Sequence, residues 1–212
     1  MKKYLFLLIA AFVCSSVNAQ LVTTSSYTKK KKQKATWYVK AGANIANTSM
    51  DDVDLSSIFG YHIGIAFDKP IGSKGVFWSL GLQLATKGWK YSEDDDGWDY
   101  EEKLNVNKIE IPLTFGYKYA INDDITVEAR VGAFANYDLW GKLTEEDNGD
   151  KEEYDLGDLD DYYGYDRFSA GIVAGVGVWY QKFNFNITYE RGFVEQNDGK
   201  EKTWMIGVGY AF

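Results

Sequence analysis

The chain has 212 residues, 45% hydrophobic, 17% aromatic and 25% charged, with 31 acidic against 23 basic side chains and a formal charge of -8. That length suits one domain, and a mean hydropathy of -0.35 with no apolar run of spanning length beyond residue 20 excludes a helical membrane protein, since a spanning helix needs about 20 consecutive apolar residues. The aromatic content excludes disorder, and the negative charge excludes a general nucleic-acid binder, whose affinity rests on Lys and Arg neutralising phosphates.

The first segment reads as a leader. Met1-Lys2-Lys3 gives a positive start, Tyr4 to Val13 an apolar stretch, and Val17-Asn18-Ala19 a small-residue cleavage site before Gln20, so residues 1–19 are expected to be a signal peptide. A lipoprotein anchor on Cys14 competes, but Val13 and Ala11 stand where a lipobox wants a small and a Leu-like residue. Losing Lys2 and Lys3 leaves 21 basic against 31 acidic residues, a charge near -10. The one cysteine, Cys14, goes with the leader, and disulfide and thiol chemistry go with it. Residues 20–35, with Lys29-Lys30-Lys31-Lys32-Gln33-Lys34, form a basic tether expected in the periplasm, either touching anionic lipid or lipopolysaccharide phosphate or simply disordered.

From Thr36 onward large apolar residues alternate with small or polar ones at period two, and helical spacing is not sustained anywhere. Eight strands are predicted, over 36–46, 58–68, 76–90, 101–119, 125–142, 167–180, 183–193 and 203–212. In the last, Trp204, Ile206, Val208, Tyr210 and Phe212 share one face against Thr203, Met205, Gly207, Gly209 and Ala211. Pro112 lies within the fourth predicted strand, where its missing N–H and a parity change between Val106 and Ile109 suggest a bulge near Asn107 or Lys108.

A soluble barrel would turn the large apolar face inward, whereas a membrane barrel turns it to lipid. The leader, the glycine-rich polar rows and the aromatic row ends favour an eight-stranded antiparallel up-and-down transmembrane β-barrel; a secreted lipocalin-like barrel is the soluble alternative. Connections alternate in length. Residues 51–54, 93–102, 145–166 and 195–201 are the long ones and carry 24 of the 31 acidic residues, so the acids gather on one rim, opposite both termini.

The segment Asn107-Lys108-Ile109-Glu110-Ile111-Pro112-Leu113-Thr114-Phe115-Gly116-Tyr117-Lys118 resembles the signature strand of an outer-membrane β-barrel family abundant in Bacteroidota, often called PorT-like. Val39-Lys40-Ala41-Gly42-Ala43-Asn44, Asp166-Arg167-Phe168-Ser169-Ala170-Gly171 and the ending Gly207-Val208-Gly209-Tyr210-Ala211-Phe212 support the resemblance over residues 36–212. It implies a small outer-membrane barrel of a Gram-negative bacterium. For the name-giving members it implies assistance to protein secretion.

Lys40, Lys87, Lys118 and Arg130 fall on the polar rows with Glu110, Glu128, Asp138 and Glu190. An eight-stranded barrel is just wide enough for side chains to fill it, so these eight are expected to form a structural salt-bridge network, with Glu110 beside Arg130 and Lys118 beside Glu128; a permeation path is the competing reading. Phe77, Phe134 and Trp179 are expected to help fill the lumen. The lone His62, with no cysteine partner, makes neither a His-based zinc site nor a hydrolase triad, and no catalytic residue, metal or cofactor is predicted. Ser92-Glu93-Asp94-Asp95-Asp96-Gly97 has the glycine of a calcium loop but begins on Ser and carries Lys103 at its twelfth position, so solvated loops compete with a Ca²⁺ site. In the longest loop Tyr162, Tyr163 and Tyr165 are the predicted contact anchors.

Three roles follow. The first is a non-enzymatic, monomeric barrel displaying acidic loops for surface interaction or envelope maintenance, with outer-membrane lipid or lipopolysaccharide around it and a protein partner at the loops. The second is a secretion accessory. The third is a small pore or lipid-modifying enzyme.

Overall fold

The computed structural model describes residues 35–50, 53–72, 74–95, 98–163, 165–194 and 199–212. The predicted signal peptide, and the basic tether as far as residue 34, lie outside the described residues. The strands are β1 (Thr36–Met50), β2 (Ser56–Pro70), β3 (Val76–Asp95), β4 (Trp98–Ala120), β5 (Ile125–Asp147), β6 (Asp150–Asp155), β7 (Phe168–Tyr180), β8 (Phe183–Gly192) and β9 (Gly199–Ala211). Among the described residues one helix, α1 (Leu156–Tyr163), stands between β6 and β7.

Eight strands close into an antiparallel ring in the order β4-β3-β2-β1-β9-β8-β7-β5, with β5 returning to β4. The first and last strands pair from Tyr38↔Ala211 to Met50↔Gly199. β6 lies outside the ring, folded back on the end of β5 through Asn148-Gly149, both at positive φ.

The β8–β9 ladder shows how the sequence orients the wall. Its outward pairs are Phe183↔Tyr210, Phe185↔Val208, Ile187↔Ile206 and Tyr189↔Trp204, all facing away from the interior. Between them Asn184, Glu190, Thr203 and Met205 turn inward and are buried. The same alternation covers the wall, leaving residues such as Phe59 (80% exposed), Ile63, Phe115, Val131 and Ile172 outside. An apolar belt this continuous belongs against lipid, because soluble monomers rarely expose apolar patches beyond a few hundred Å². Aromatic contacts mark both ends of the belt: Trp37–Phe67 at 4.8 Å and Phe183–Tyr210 at 5.2 Å at the short-turn rim, Tyr189–Trp204 at 4.7 Å at the other.

The eight predicted strands are the eight of the ring, but several run further. β3, β4 and β5 continue as paired strands through residues expected as loop, with Asp94↔Asp99 and Tyr100↔Asp147. With β6 they form a sheet standing beyond the acidic rim. The parity change expected in the fourth strand is absent: Leu104, Val106, Lys108 and Glu110 are all buried. Leu104 and Val106 turn inward because α1 supplies Leu156 and Leu159 to pack on them. A register shift does occur at Asn107/Lys108, yet the extra residue is Leu139 on β5, since Asn107 faces Trp140 and Lys108 faces Asp138. Pro112 needs no bulge of its own. The β3–β4 register is unchanged from Leu80↔Leu113 to Gln83↔Glu110, and the proline ring sits against Gly81, where a Cβ would come within 2.9 Å of it.

Val208→Arg, near mid-depth on the lipid side, is expected to cost about 2–4 kcal/mol in urea titrations of the protein folded in liposomes. Gly209→Ala should cost much less: an added Cβ meets Tyr38 and the Val39 carbonyl at 3.2 Å, which a small shift absorbs. Equal tolerance of both would contradict the orientation.

Candidate functional site

The interior holds two tiers of charge. Near the short-turn rim, Lys118 Nζ reaches Asp68 Oδ2 at 2.5 Å and Glu128 Oε2 at 3.7 Å. Arg130 pairs with Glu128 and donates to the Tyr38 hydroxyl at 3.0 Å. Trp179 Nε1 donates to Glu128 Oε2 at 2.8 Å, and Lys118 Nζ lies 4.7 Å from the ring centres of both Phe77 and Trp179. Two cations thus meet two anions, and aromatic faces cover the remainder.

Nearer the acidic rim, Lys87 bridges Glu110 and Glu190, the latter at 2.7 Å, and lies 4.9 Å from the Phe134 ring centre. Gln83 donates to Glu110. Lys108 Nζ reaches Glu201 Oε1 at 2.5 Å and Asp138 Oδ1 at 3.1 Å, while Asn136 donates to Glu201 and the Tyr165 hydroxyl to Asp138, each at 2.9 Å. Such dense pairing is what a poorly solvated interior requires, because an unpaired buried charge costs several kcal/mol.

Of the eight predicted network residues, Lys87, Glu110, Lys118, Glu128, Arg130, Asp138 and Glu190 take part in these ion pairs. Lys40 is half-buried beside a cavity of about 30 Å³ that it shares with His62, Arg130 and Glu190, and it makes no ion pair among the described residues. Lys118 does face Glu128 across β4 and β5. Glu110 and Arg130 are not a cross-strand pair: Glu110 faces Asn136 and Arg130 faces Gly116, because Glu110 lies ten residues above Ala120 whereas Arg130 lies four above its partner Thr126. Three further residues, Asp68, Lys108 and Glu201, belong to the network and lie outside the predicted set. Asp68 closes the second predicted strand on the same inward row as His62, Lys108 lies at the expected bulge, and Glu201 lies in a predicted loop that β9 already occupies. Period two kept unbroken to the end of the second strand and through the fourth, and carried two residues ahead of Thr203 in the last, finds all three.

His62 Nδ1 shares a 2.7 Å hydrogen bond with Asn44 Oδ1, and Asn44 donates in turn to the carbonyls of Tyr61 and Thr86. It is a core histidine held by an amide. Among the described residues no three His, Cys, Asp or Glu side chains are grouped to hold a metal ion.

At the acidic rim a cavity of about 280 Å³ opens under α1. Met50, Trp89, Leu104, Leu143, Leu159 and Tyr165 are among its walls, with Lys108 and Glu201 below and Glu102 above. The protruding sheet continues this wall with its charges sorted by face. Its outer face mixes signs: Lys142 and Lys151 both bond Glu153, at 2.9 and 2.6 Å, and those hydrogen bonds, from Lys151 first, hold the Glu153 carboxyl down at about 2. Its inner face does not. Above the apolar row Leu104↔Leu143↔Tyr154 comes Glu102↔Glu145↔Glu152, and above that Tyr100↔Asp147↔Asp150. Burial, and then the facing Glu145, push the Glu102 carboxyl up.

Of the predicted loop anchors, Tyr162 and Tyr163 fall on the last turn of α1, and their side chains lie outside the described residues. Tyr165 is not a free contact residue: it turns inward to Asp138, and burial followed by that carboxylate raises its hydroxyl pKa. The Ser92–Gly97 segment is the tip of the β3–β4 hairpin as far as it is described.

The model of the outer membrane protein beta-barrel domain family matches residues 18–195. Among solved structures, the chain is similar to Ail, the attachment invasion locus protein of Yersinia pestis, solved with the heparin analogue sucrose octasulfate (16% identity, 85% of this chain, 100% of that one, TM-score 0.45). It is similar also to Neisserial surface protein A (14%, 85% and 100%, TM-score 0.44) and to the N-terminal β-barrel domain of Pseudomonas aeruginosa OprF (13%, 84% and 100%, TM-score 0.34). No curated protein sequence matches.

Lys108 and Glu201 should prove strongly non-additive. Lys108→Met leaves Glu201 and Asp138 facing each other and is expected to cost about 3–5 kcal/mol, while a double-mutant cycle with Glu201→Gln should return a coupling of at least about 1 kcal/mol. Glu102→Gln has the opposite sign. A carboxyl whose folded pKa is raised destabilises above that pKa and ceases to do so once protonated, so the substitution should raise the unfolding midpoint at pH 7, and the gain should vanish as pH falls below the ordinary carboxylate range.

Proposed function

The chain belongs to the outer membrane protein beta-barrel domain family, and on that premise we propose that it is a non-enzymatic barrel of a Gram-negative outer membrane, closed through its lumen, whose acidic rim contacts other molecules at the cell surface. The row Glu102↔Glu145↔Glu152 carries the proposal. Like charges directly opposite one another destabilise a sheet, and solubility alone would be served by the mixed charges of the outer face. Tyr100, Tyr154 and Trp89 beside the carboxylates add the aromatic area that contact sites use. A basic partner fits this face, and Tyr162 and Tyr163 on α1 stand as further contact positions. Export by the signal peptide and a monomeric state belong to the same reading.

The filled lumen argues against a pore: Phe77, Phe134 and Trp179 are buried among paired charges. The buried amide-bound His62 argues against hydrolytic chemistry. The resemblance of residues 107–118 to PorT-like barrels of Bacteroidota supports a second reading, an accessory of protein secretion across the outer membrane.

The test combines conductance with capture. In planar bilayers the protein should show no steady ion current. Crosslinked cells should yield a partner that is lost in the Glu102→Gln, Glu145→Gln, Glu152→Gln triple variant, which should itself fold at least as stably as the parent. A secretion component among the captured proteins would select the second reading; steady conductance, or capture unchanged by the triple substitution, would overturn the first.

A further inference from the structure

We propose that Arg191 and Lys202, side by side on the outer wall of the barrel, bind the phosphate of a lipid in the outer leaflet. They form the next outward pair of the β8–β9 ladder beyond Tyr189↔Trp204. Two residues further along a strand is about 7 Å, so the pair sits just past the aromatic end of the apolar belt, where phosphates of the outer leaflet lie. Directly opposed cations repel, their Cβ atoms being about 5 Å apart in such a pair. Something of opposite charge is expected between them.

Among the described residues the protein does not supply it. The chain neighbours Glu190 and Glu201 point the other way, into the lumen, where they are held by Lys87 and Lys108. The lateral neighbours on the outer face are uncharged: Ile172 on β7 beside Arg191, and Asn47 on β1 beside Lys202. Arg191 Nη1 is shielded from solvent and finds no hydrogen-bond partner among the described residues. Lys200 follows on the same face of β9, two residues toward the rim. On a chain with eight more acidic than basic residues, this is a cationic step set at the height where a lipid presents a divalent anion with three acceptor oxygens. The aromatic pair below would pack along the acyl chains. A guanidinium and an ammonium then share one phosphate, and their mutual repulsion becomes attraction to the ligand.

The site rests on the membrane reading above, so the experiment reads folding separately. Full-length protein in detergent, its folded state checked by heat-modifiable migration on gels, is examined by native mass spectrometry with bis-phosphorylated lipid A and with the same lipid dephosphorylated. The folded wild type should retain the phosphorylated lipid at concentrations where the dephosphorylated one is lost. Arg191→Gln with Lys202→Gln should weaken retention about tenfold or more, Arg191→Lys with Lys202→Arg should preserve it, and Lys103→Gln with Lys142→Gln, an equal charge change on the protruding sheet, should leave it unchanged. Inorganic phosphate at about tenfold excess should not displace the lipid, since it lacks the contacts with Tyr189 and Trp204. Equal retention of the dephosphorylated lipid by the wild type, undiminished retention by the Gln pair, or displacement by inorganic phosphate would each overturn the proposal. Failure of the protein to fold in detergent would instead strike at the membrane reading.

Discussion

Backbone N–H and C=O groups inside a bilayer have no water to bond, so each strand crossing it must be paired on both sides. The return of β5 to β4 meets that condition, and much of the remaining structure follows from it. Once the ring is closed, side-chain period two leaves each residue only two destinations. A large apolar residue is outside against lipid; whatever alternates with it is inside, in a space that eight strands barely leave. Glycines on the inner rows suit that crowding. At Gly132 an added Cβ would fall 2.0 Å from the Leu113 carbonyl oxygen, so the close approach of β4 and β5 depends on hydrogen there.

The interior charges are intelligible as the consequence. Side chains that reach inward from opposite walls meet partners there, and the two tiers place Lys87, Lys108, Lys118 and Arg130 each against more than one carboxylate or aromatic face. Rigid closure of the lumen in turn leaves the rim and the outer wall as the surfaces free to meet other molecules. The rim is built by the same strands carried past the bilayer, which is why its charges are sorted by face and not scattered as in a flexible loop: the outer row binds Lys142 and Lys151 to Glu153, and the inner row holds carboxylates alone.

How much of this was legible in the sequence depends on the reach of period two. Through mid-barrel the alternation is strict, and the inward placement of Lys87, Glu110, Glu128 and Glu190 could be read directly. At the acidic end it fails for physical reasons. Leu104 and Val106 look like lipid-facing residues because their covering, Leu156 and Leu159, comes from an eight-residue helix with no sustained periodicity of its own. Leu139 and Trp140 both point outward across the bulge, which resembles noise in the pattern. Acid-rich runs such as 93–102 read as loop by composition, yet pairing with neighbouring strands overrides the propensity. The Glu110–Arg130 pairing failed on register, which a turn-based count fixes only when both arms are counted to the same pair. The basic pair Arg191–Lys202 was present in the sequence throughout; its meaning depends on knowing that β8 and β9 bring the two residues opposite each other.

The central claim is that one face of each ring strand meets lipid and the other a side-chain-filled interior. Nitroxide labels placed singly at positions 183 to 190 of β8, on a chain whose only cysteine is Cys14, test it most directly by their collision rates with dissolved oxygen and with a water-soluble nickel chelate in liposomes. The account predicts high oxygen accessibility at 183, 185, 187 and 189, low accessibility to both reagents at 184, 186, 188 and 190, and strict alternation between the two. Alternation of the opposite phase, or nickel accessibility along the inner row through mid-barrel, would contradict it.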